Sequence, residues 1–299
     1  MTAHRTARRS VGVIGTGRVG SVLGAALARA GHRVVAATGV SRESVRRAEE
    51  LLPDVPLLPA DELVARADFV LLAVPDDELA PLVAGLAETG AWRPSQLVAH
   101  TSGAHGCAVL DPATRAGAVP IALHPAMTFT GQLADLARLQ GTSFGITAPD
   151  EARPIAAELV HELGGKPVWV AEEARPLYHA ALVVGANHLT TLVNDAADLL
   201  RRAGVEQPAN VLGPLLRAAL DNALRSGDAA LTGPVSRGDA GTVATHLATL
   251  SAQAPESVAA YTALARLTAD RALASGRLRP RQAGPLLDVL AGTEHEART

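Results

Sequence analysis

The run "VGVIGTGRVGSVLGAALARAGHRVVAATG", residues 11–39, constrains the fold more than any other part of this 299-residue chain. Residues 11–14 are β-branched apart from Gly12 and stop at Gly15. Val19, Leu23, Ala26 and Leu27 then recur at helical spacing, Gly31 ends the helix, and "RVVAAT" begins a second strand. Between strand and helix stands Gly15-Thr16-Gly17-Arg18-Val19-Gly20, the spacing G-x-G-x-x-G. Gly15 permits the turn, Gly17 lets backbone N–H groups approach a pyrophosphate, and Gly20 lets the helix pack on the strand. The helix N-terminus then faces the anion. These six residues are the expected dinucleotide cradle.

The end of the second strand selects among dinucleotides. An acid there would accept from a ribose 2′-hydroxyl and favour NAD. The chain instead has Thr38-Gly39, followed by Val40, Ser41 and Arg42. Ser41 and Arg42 are placed to hold a 2′-phosphate, Arg through its charged fork, so NADP(H) is the expected cofactor. Glu43 is expected on the next helix as a first-turn dipole partner.

Further strands read at 68–75, 96–103, 118–125, 142–147 and 166–171, alternating with helical stretches around 43–52, 77–88 and 150–163. Apolar strands alternating with helices imply a mostly parallel, doubly wound sheet covered on both faces. Ligands of such sheets lie beyond the strands' C-terminal ends. Val74 and Pro75, Ser102, and His124 fall at those ends, the first two beside the cofactor. Ser102 and His124 are expected to face one crevice, with His124 as proton donor to a carbonyl oxygen and Ser102 sharing that duty or binding a carboxylate. The bland alternative is that both only satisfy loop groups. His100 precedes the loop and reads as structural.

After about Ala171 the strand pattern ends. Residues 176–203 read as one helix, apolar enough to be buried, with His179, Val183 and Asn187 four apart on one face. Asn187 either faces a substrate or bonds a neighbouring helix. Further helices read near 208–225, 240–252, 255–275 and 280–290. The stretch "ALTGPVSRGDAGTVATHL", residues 230–247, gathers polar groups around turn formers. Arg237 is expected to clamp a carboxylate, Asp239 to fix the Arg, and Thr232 and His246 to line the same pocket; an interhelical Arg–Asp pair is the plain alternative. The expected domains are 1–172, binding NADP, and 173–299, all helical, serving substrate and dimerisation.

Composition narrows the partners. A net charge of −3 with 2% aromatic residues gives little to meet phosphates or stack on bases, so nucleic acid is not expected. The single Cys107 fits a reducing compartment and excludes an internal disulfide. No apolar run approaches the roughly 20 residues of a membrane span. "ARRSVGVIGTG" could pass for an export signal, but Arg18 and the glycines interrupt its apolar region, so a cytoplasmic location is expected. The Ala- and Leu-rich helical half suggests a homodimer.

With these residues in view, the chain resembles the dehydrogenases that join a Rossmann domain to an α-helical C-terminal domain. That superfamily includes 6-phosphogluconate dehydrogenase, ketopantoate reductase, pyrroline-5-carboxylate reductase and prephenate dehydrogenase. More closely, it resembles the branch described as Rossmann-like and DUF2520 domain-containing oxidoreductases, through "GTGRVG", "LLAVPDDEL", "HTSGA", "LHPAMTFTG", "YHAALVVGANHLTTLVNDA" and "LTGPVSRGD…THL". In ketopantoate reductases the first long helix of the second domain carries Lys and, four residues later, Asn. Here Asn187 fits and Val183 occupies the lysine position. The prephenate dehydrogenase Ser and His-Pro pair is similar to Ser102 and His124, and "LTGPVSRGD" looks like the substrate loop of pyrroline-5-carboxylate reductases. The resemblance implies an NADP-dependent oxidoreductase acting on a small carboxylate-bearing carbonyl compound, such as a 2-oxo acid. A non-catalytic NADP(H)-binding redox sensor or scaffold is the alternative from another class. A deazaflavin-dependent NADP reductase, loosely suggested by "ATGVSRES", is the second enzymatic one.

Overall fold

The computed structural model describes residues 8–296. Seven strands form one sheet: β1 (Ser10–Ile14), β2 (Arg33–Thr38), β3 (Phe69–Leu72), β4 (Leu97–His100), β5 (Val119–Pro125), β6 (Ser143–Thr147) and β7 (Lys166–Trp169). Their spatial order is β2-β1-β3-β4-β5-β6-β7. Every neighbouring pair is parallel except β5 and β6, where His124 lies opposite Gly145. That antiparallel ladder carries β5 through Pro125, so His124 lies inside a strand rather than at its end.

Burial on both faces explains the unbroken apolar strands. Phe69 and Leu71 of β3 join the core on one side of the sheet, with Val11, Leu23 and Ile121. Val70 and Leu72 join the other, with Leu63, Leu79 and Val98. The crossover helices are α1 (Arg18–Arg29), α2 (Arg42–Leu51), α3 (Ala60–Arg66), α4 (Asp76–Glu88), α5 (Asp111–Arg115), α6 (Ala134–Arg138) and α7 (Arg153–Glu162). Helix α2 opens on a capping box, in which Ser41 and Ser44 each accept the other's backbone N–H. Helix α4 opens on Asp76, Asp77 and Glu78, which complement its N-terminal dipole.

Helical residues then continue as α8 (Arg175–Leu182), a π-helical turn over Val183–His188, and α9 (Leu189–Arg202). Then follow α10 (Pro208–Ser226), α11 (Pro234–Arg237), α12 (Ala240–Gln253), α13 (Pro255–Ala274) and, last described, α14 (Pro280–Glu296). Two compact units divide the chain at 187/188, inside the helical run.

Two expectations about residues 176–203 are corrected. The π turn at Val183–His188 interrupts the α-helix that was expected to run unbroken. Nor is the helix buried. From Arg175 to Arg202, only Arg175 is fully enclosed, and Leu177 and Val184 are 76% and 62% exposed. Leu189 and Leu192 are exposed as well. In the second unit, Val235, Val243, Leu247, Ala269 and Leu286 form the core. Helix α10 keeps Val211 and Leu215 exposed on one side and Leu220 and Leu224 on the opposite side.

Candidate active site

At the first turn, Gly15 has φ +92°, and a Cβ there would lie 2.5 Å from the carbonyl oxygen of Ala73. At Gly20 a Cβ would lie 2.0 Å from the carbonyl oxygen of Gly15. Gly17 differs: a Cβ added there meets no atom within 4 Å. The outer face of the turn is therefore open, as the approach of a phosphate requires, and it heads α1. Thr16 is wholly buried and spends its groups inside the protein, its N–H on the Thr38 carbonyl and its hydroxyl on the Thr38 and Ser44 carbonyls. It locks the turn to β2. Arg18 is exposed and Val19 half-buried.

Beside this turn lies a cavity of about 740 Å³ at the C-terminal ends of β1, β2 and β3, lined by Gly15, Thr38, Val40, Val74, Pro75 and Leu82 among others. Ser41 and Arg42 follow at its rim, both exposed, with the Ser41 hydroxyl accepting the Ser44 N–H. Arg42 makes no ion pair among the described residues. Glu43 pairs with Arg47 at 2.9 Å, one helical turn on.

Farther along the sheet, His124, Tyr178 and His179 come together. His124 Nδ1 is 3.0 Å from the Tyr178 hydroxyl, with the two rings edge-on at 5.6 Å. The rings of His124 and His179 are 6.1 Å apart. Gly103 closes the cluster: a Cβ there would sit 2.7 Å from His179 and 3.0 Å from His124 Nε2. Ser102 is buried, and its hydroxyl accepts the N–H groups of Ala104 and His105 at 3.2 Å, so it shapes the loop that carries Gly103.

Beneath the cluster is Arg175, completely buried and without a carboxylate partner among the described residues. Its Nε donates to the Thr147 hydroxyl at 2.8 Å. Its Nη2 donates to the carbonyls of Ala122 and Gly145 at 3.2 and 3.1 Å. These acceptors are all neutral, and Glu172 is the carboxylate whose charge reaches it, without ion-pair contact. Burial, then the Arg175 charge and His179, push His124 down to about 4, against a weaker pull upward from Asp76. His124 is therefore a neutral imidazole at pH 7, not the imidazolium that a simple histidine acid would need.

His100 has the structural part expected of it. It is fully buried, with Nε2 2.8 Å from the Gly106 carbonyl and Nδ1 accepting the Ser102 N–H. Tyr178 and Arg175 were not singled out in the sequence. Their only signal is position, three residues apart at the start of the helix that follows the last strand.

Asn187 is exposed in the π turn. In the helical unit, Thr232 and His246 line one hollow of about 300 Å³ with Tyr261, whose hydroxyl is 2.9 Å from His246 Nδ1. Arg237 pairs with Asp239 through Nε and Nη2 at 3.0 and 2.7 Å, both side chains exposed, across the left-handed turn at Gly238.

A parallel sheet whose first strand ends in an open glycine turn at a helix N-terminus, followed by an all-helical unit, defines a two-part dinucleotide-fold protein. Residues 1–125 match the Rossmann-like domain and residues 142–268 match the domain of unknown function DUF2520, so the chain is a Rossmann-like, DUF2520 domain-containing protein. No curated protein matches the sequence significantly. Among solved structures it is similar to a Bacteroides fragilis protein assigned as an NADP oxidoreductase, with 23% identity, TM-score 0.74, and 88% of this chain and 98% of that one covered. It is also similar to an imine reductase from Pseudomonas sp., with 18% identity, TM-score 0.62, and 91% and 96% covered. A Plasmodium falciparum pyrroline carboxylate reductase with NADP bound shares 13% identity at TM-score 0.56, with 90% and 97% covered. At these identities the likeness is one of fold.

Proposed function

We propose that the chain is an NADP-dependent oxidoreductase acting on a small carboxylate-bearing carbonyl compound or the related imine. The observation that carries this reading is the pairing, on one sheet edge, of an open glycine turn with a neutral, half-buried His124. Gly15, Gly17 and Gly20 with the N-terminus of α1 would hold the pyrophosphate, and Val74 and Pro75 the adjoining sugar. Ser41 and Arg42 would take the 2′-phosphate. The reduced nicotinamide supplies a hydride to the substrate carbon. His124 donates a hydrogen bond through Nε2 to the oxygen or nitrogen on which charge develops, a role that a neutral imidazole fills. Ser102 and Gly103 shape the wall beside it. His179 and Asn187 are assigned to the substrate. Arg237, steadied by Asp239, is assigned its carboxylate, with Thr232 and His246 in supporting contacts. The described protein is read as working as a homodimer through its exposed helical faces. The related solved structures named as imine and pyrroline carboxylate reductases support including C=N substrates.

Kinetics of His124→Ala test the reading. Turnover is expected to fall about 100-fold or more while NADPH binding stays within twofold. Unchanged turnover would remove His124 from the chemistry.

A further inference from the structure

We infer that Tyr178 is a positioning residue behind His124, holding the imidazole as its Nε2–H tautomer and passing its own proton to Nδ1 when Nε2 gives one up. The inference rests on the reading that His124 faces the reacting atom.

The geometry carries it. The Tyr178 hydroxyl is 3.0 Å from Nδ1, so one of the two groups donates to the other. Were Nδ1 the donor, the phenol would need another acceptor for its proton. Among the described residues the phenol oxygen has no hydrogen-bond partner but Nδ1, so its proton would then be left without a protein acceptor. The phenol fits this close to β6 only because residue 145 is glycine: a Cβ there would be 2.5 Å from the phenol oxygen. The phenol proton is then directed to Nδ1, and Nε2–H is left for the substrate.

Arg175 supplies the countercharge. Its guanidinium carbon lies 5.8 Å from the centre of the Tyr178 ring, with no carboxylate in ion-pair contact among the described residues. The groups facing His124 are Arg175, His179 and Asp76, and the charged group facing Tyr178 is Arg175. Burial raises the phenol above its ordinary value while Arg175 and Gly145 oppose that rise. Tyr178 is therefore protonated at rest, and its anion has a partner when formed.

The proton count closes. With a reduced nicotinamide bound as hydride donor, a C–H bond would form on the substrate and the C=O π pair would move onto oxygen. That oxygen takes the Nε2 proton, the Nε2–H pair staying on the ring. Nδ1 forms a bond to the Tyr178 proton as the phenol O–H breaks. The ring ends neutral as the Nδ1–H tautomer, with a phenolate beside Arg175. One proton from water restores the start.

Nitrogen NMR of the full chain labelled with ¹⁵N-histidine tests this without cofactor or turnover. His124 is assigned by its absence in His124→Asn. The wild type is expected to show a neutral Nε2–H tautomer from pH 5 to pH 9. Tyr178→Phe is expected to admit the Nδ1–H form and raise the His124 pKa, with thermal unfolding and NADPH binding as fold controls. Should Tyr178→Phe fail to fold, the wild-type tautomer decides alone. A wild-type Nδ1–H tautomer, or a folded Tyr178→Phe with an unchanged His124 spectrum, overturns the inference. A correct tautomer in a protein that never oxidises NADPH would instead count against the proposed reaction.

Discussion

The Tyr178 hydroxyl stands 3.0 Å from Nδ1 of His124, and Gly145, opposite His124 in the β5–β6 ladder, is the residue that admits it. Gly145→Ala would force a methyl group to within 2.5 Å of that oxygen. Because the obstacle is set on a strand backbone, the phenol must move. The expected cost is about 1–3 kcal/mol of stability, read from denaturant unfolding, with His124 losing its Nδ1 partner. Wild-type stability and an unchanged His124 resonance would contradict this packing.

The glycines of the turn separate folding from binding. Gly17→Ala adds a methyl group that meets no protein atom, at φ −69°, which alanine adopts freely. Its stability should stay within about 0.5 kcal/mol of wild type. NADPH affinity should nevertheless fall at least about tenfold, because the methyl group occupies the open face where a phosphate would approach. Gly20→Ala should instead destabilise the fold, its Cβ lying 2.0 Å from the Gly15 carbonyl oxygen. Calorimetric titration with NADPH and thermal melts measure both effects.

On the proposed reading, Arg42 sets the choice between dinucleotides. Losing a charge-assisted contact to a phosphate costs about 1.5–3 kcal/mol, so Arg42→Ala should bind NADPH about 10- to 100-fold more weakly. NADH binding should be unchanged. Equal losses for both dinucleotides would mean that Arg42 acts on the fold or the pyrophosphate.

Two histidines make stability depend on pH. Burial, opposed by the Gly106 carbonyl and joined by Arg175, pushes His100 down to about 4, and His124 is pushed equally far. The unfolded chain takes protons on both below pH 6.5, the folded chain not until about pH 4. Unfolding is therefore favoured progressively as the pH falls through that window. Melting temperature should drop from pH 7 to pH 5, and the drop should be shallower in His100→Gln. A drop as steep in the variant would mean that His100 does not contribute.

The exposed leucines of α10 predict association. Leu220 and Leu224 are 50% and 79% exposed, too much apolar surface for a helix of a monomer. Light scattering should give the mass of a dimer, and Leu220→Glu with Leu224→Glu should give a monomer. A monomeric wild type would contradict the proposed homodimer.

Much of the sheet was legible because its strands are short apolar runs stopped by Gly, Pro or polar residues. Those are local signals. Helix α3 was not read, since the seven residues between Pro59 and Ala67 give too few turns for a period to emerge. The π turn at Val183–His188 leaves no mark in an apolar pattern, and the exposure of the long helical run reverses what its composition suggests. Ser102 and His124 were expected from strand ends and His179 from helix spacing, and the structure brings the two histidine rings to 6.1 Å. Tyr178 and Arg175 were not, because their importance comes from β5 and β6 meeting a helix that begins some 30 residues after β6 begins. The neutrality of His124 follows from its burial first and from that same guanidinium second, and cannot be read from a histidine's type alone.

The most direct measurement of the central claim is NADPH consumption by the wild-type chain against a panel of small 2-oxo acids and cyclic imines. The account predicts turnover of at least one carboxylate-bearing member, with NADPH preferred to NADH and a rate flat from pH 6 to pH 9, since neither His124 nor Tyr178 titrates there. NADPH bound tightly but left unoxidised by every member would contradict it, and would leave the chain a nucleotide-binding sensor.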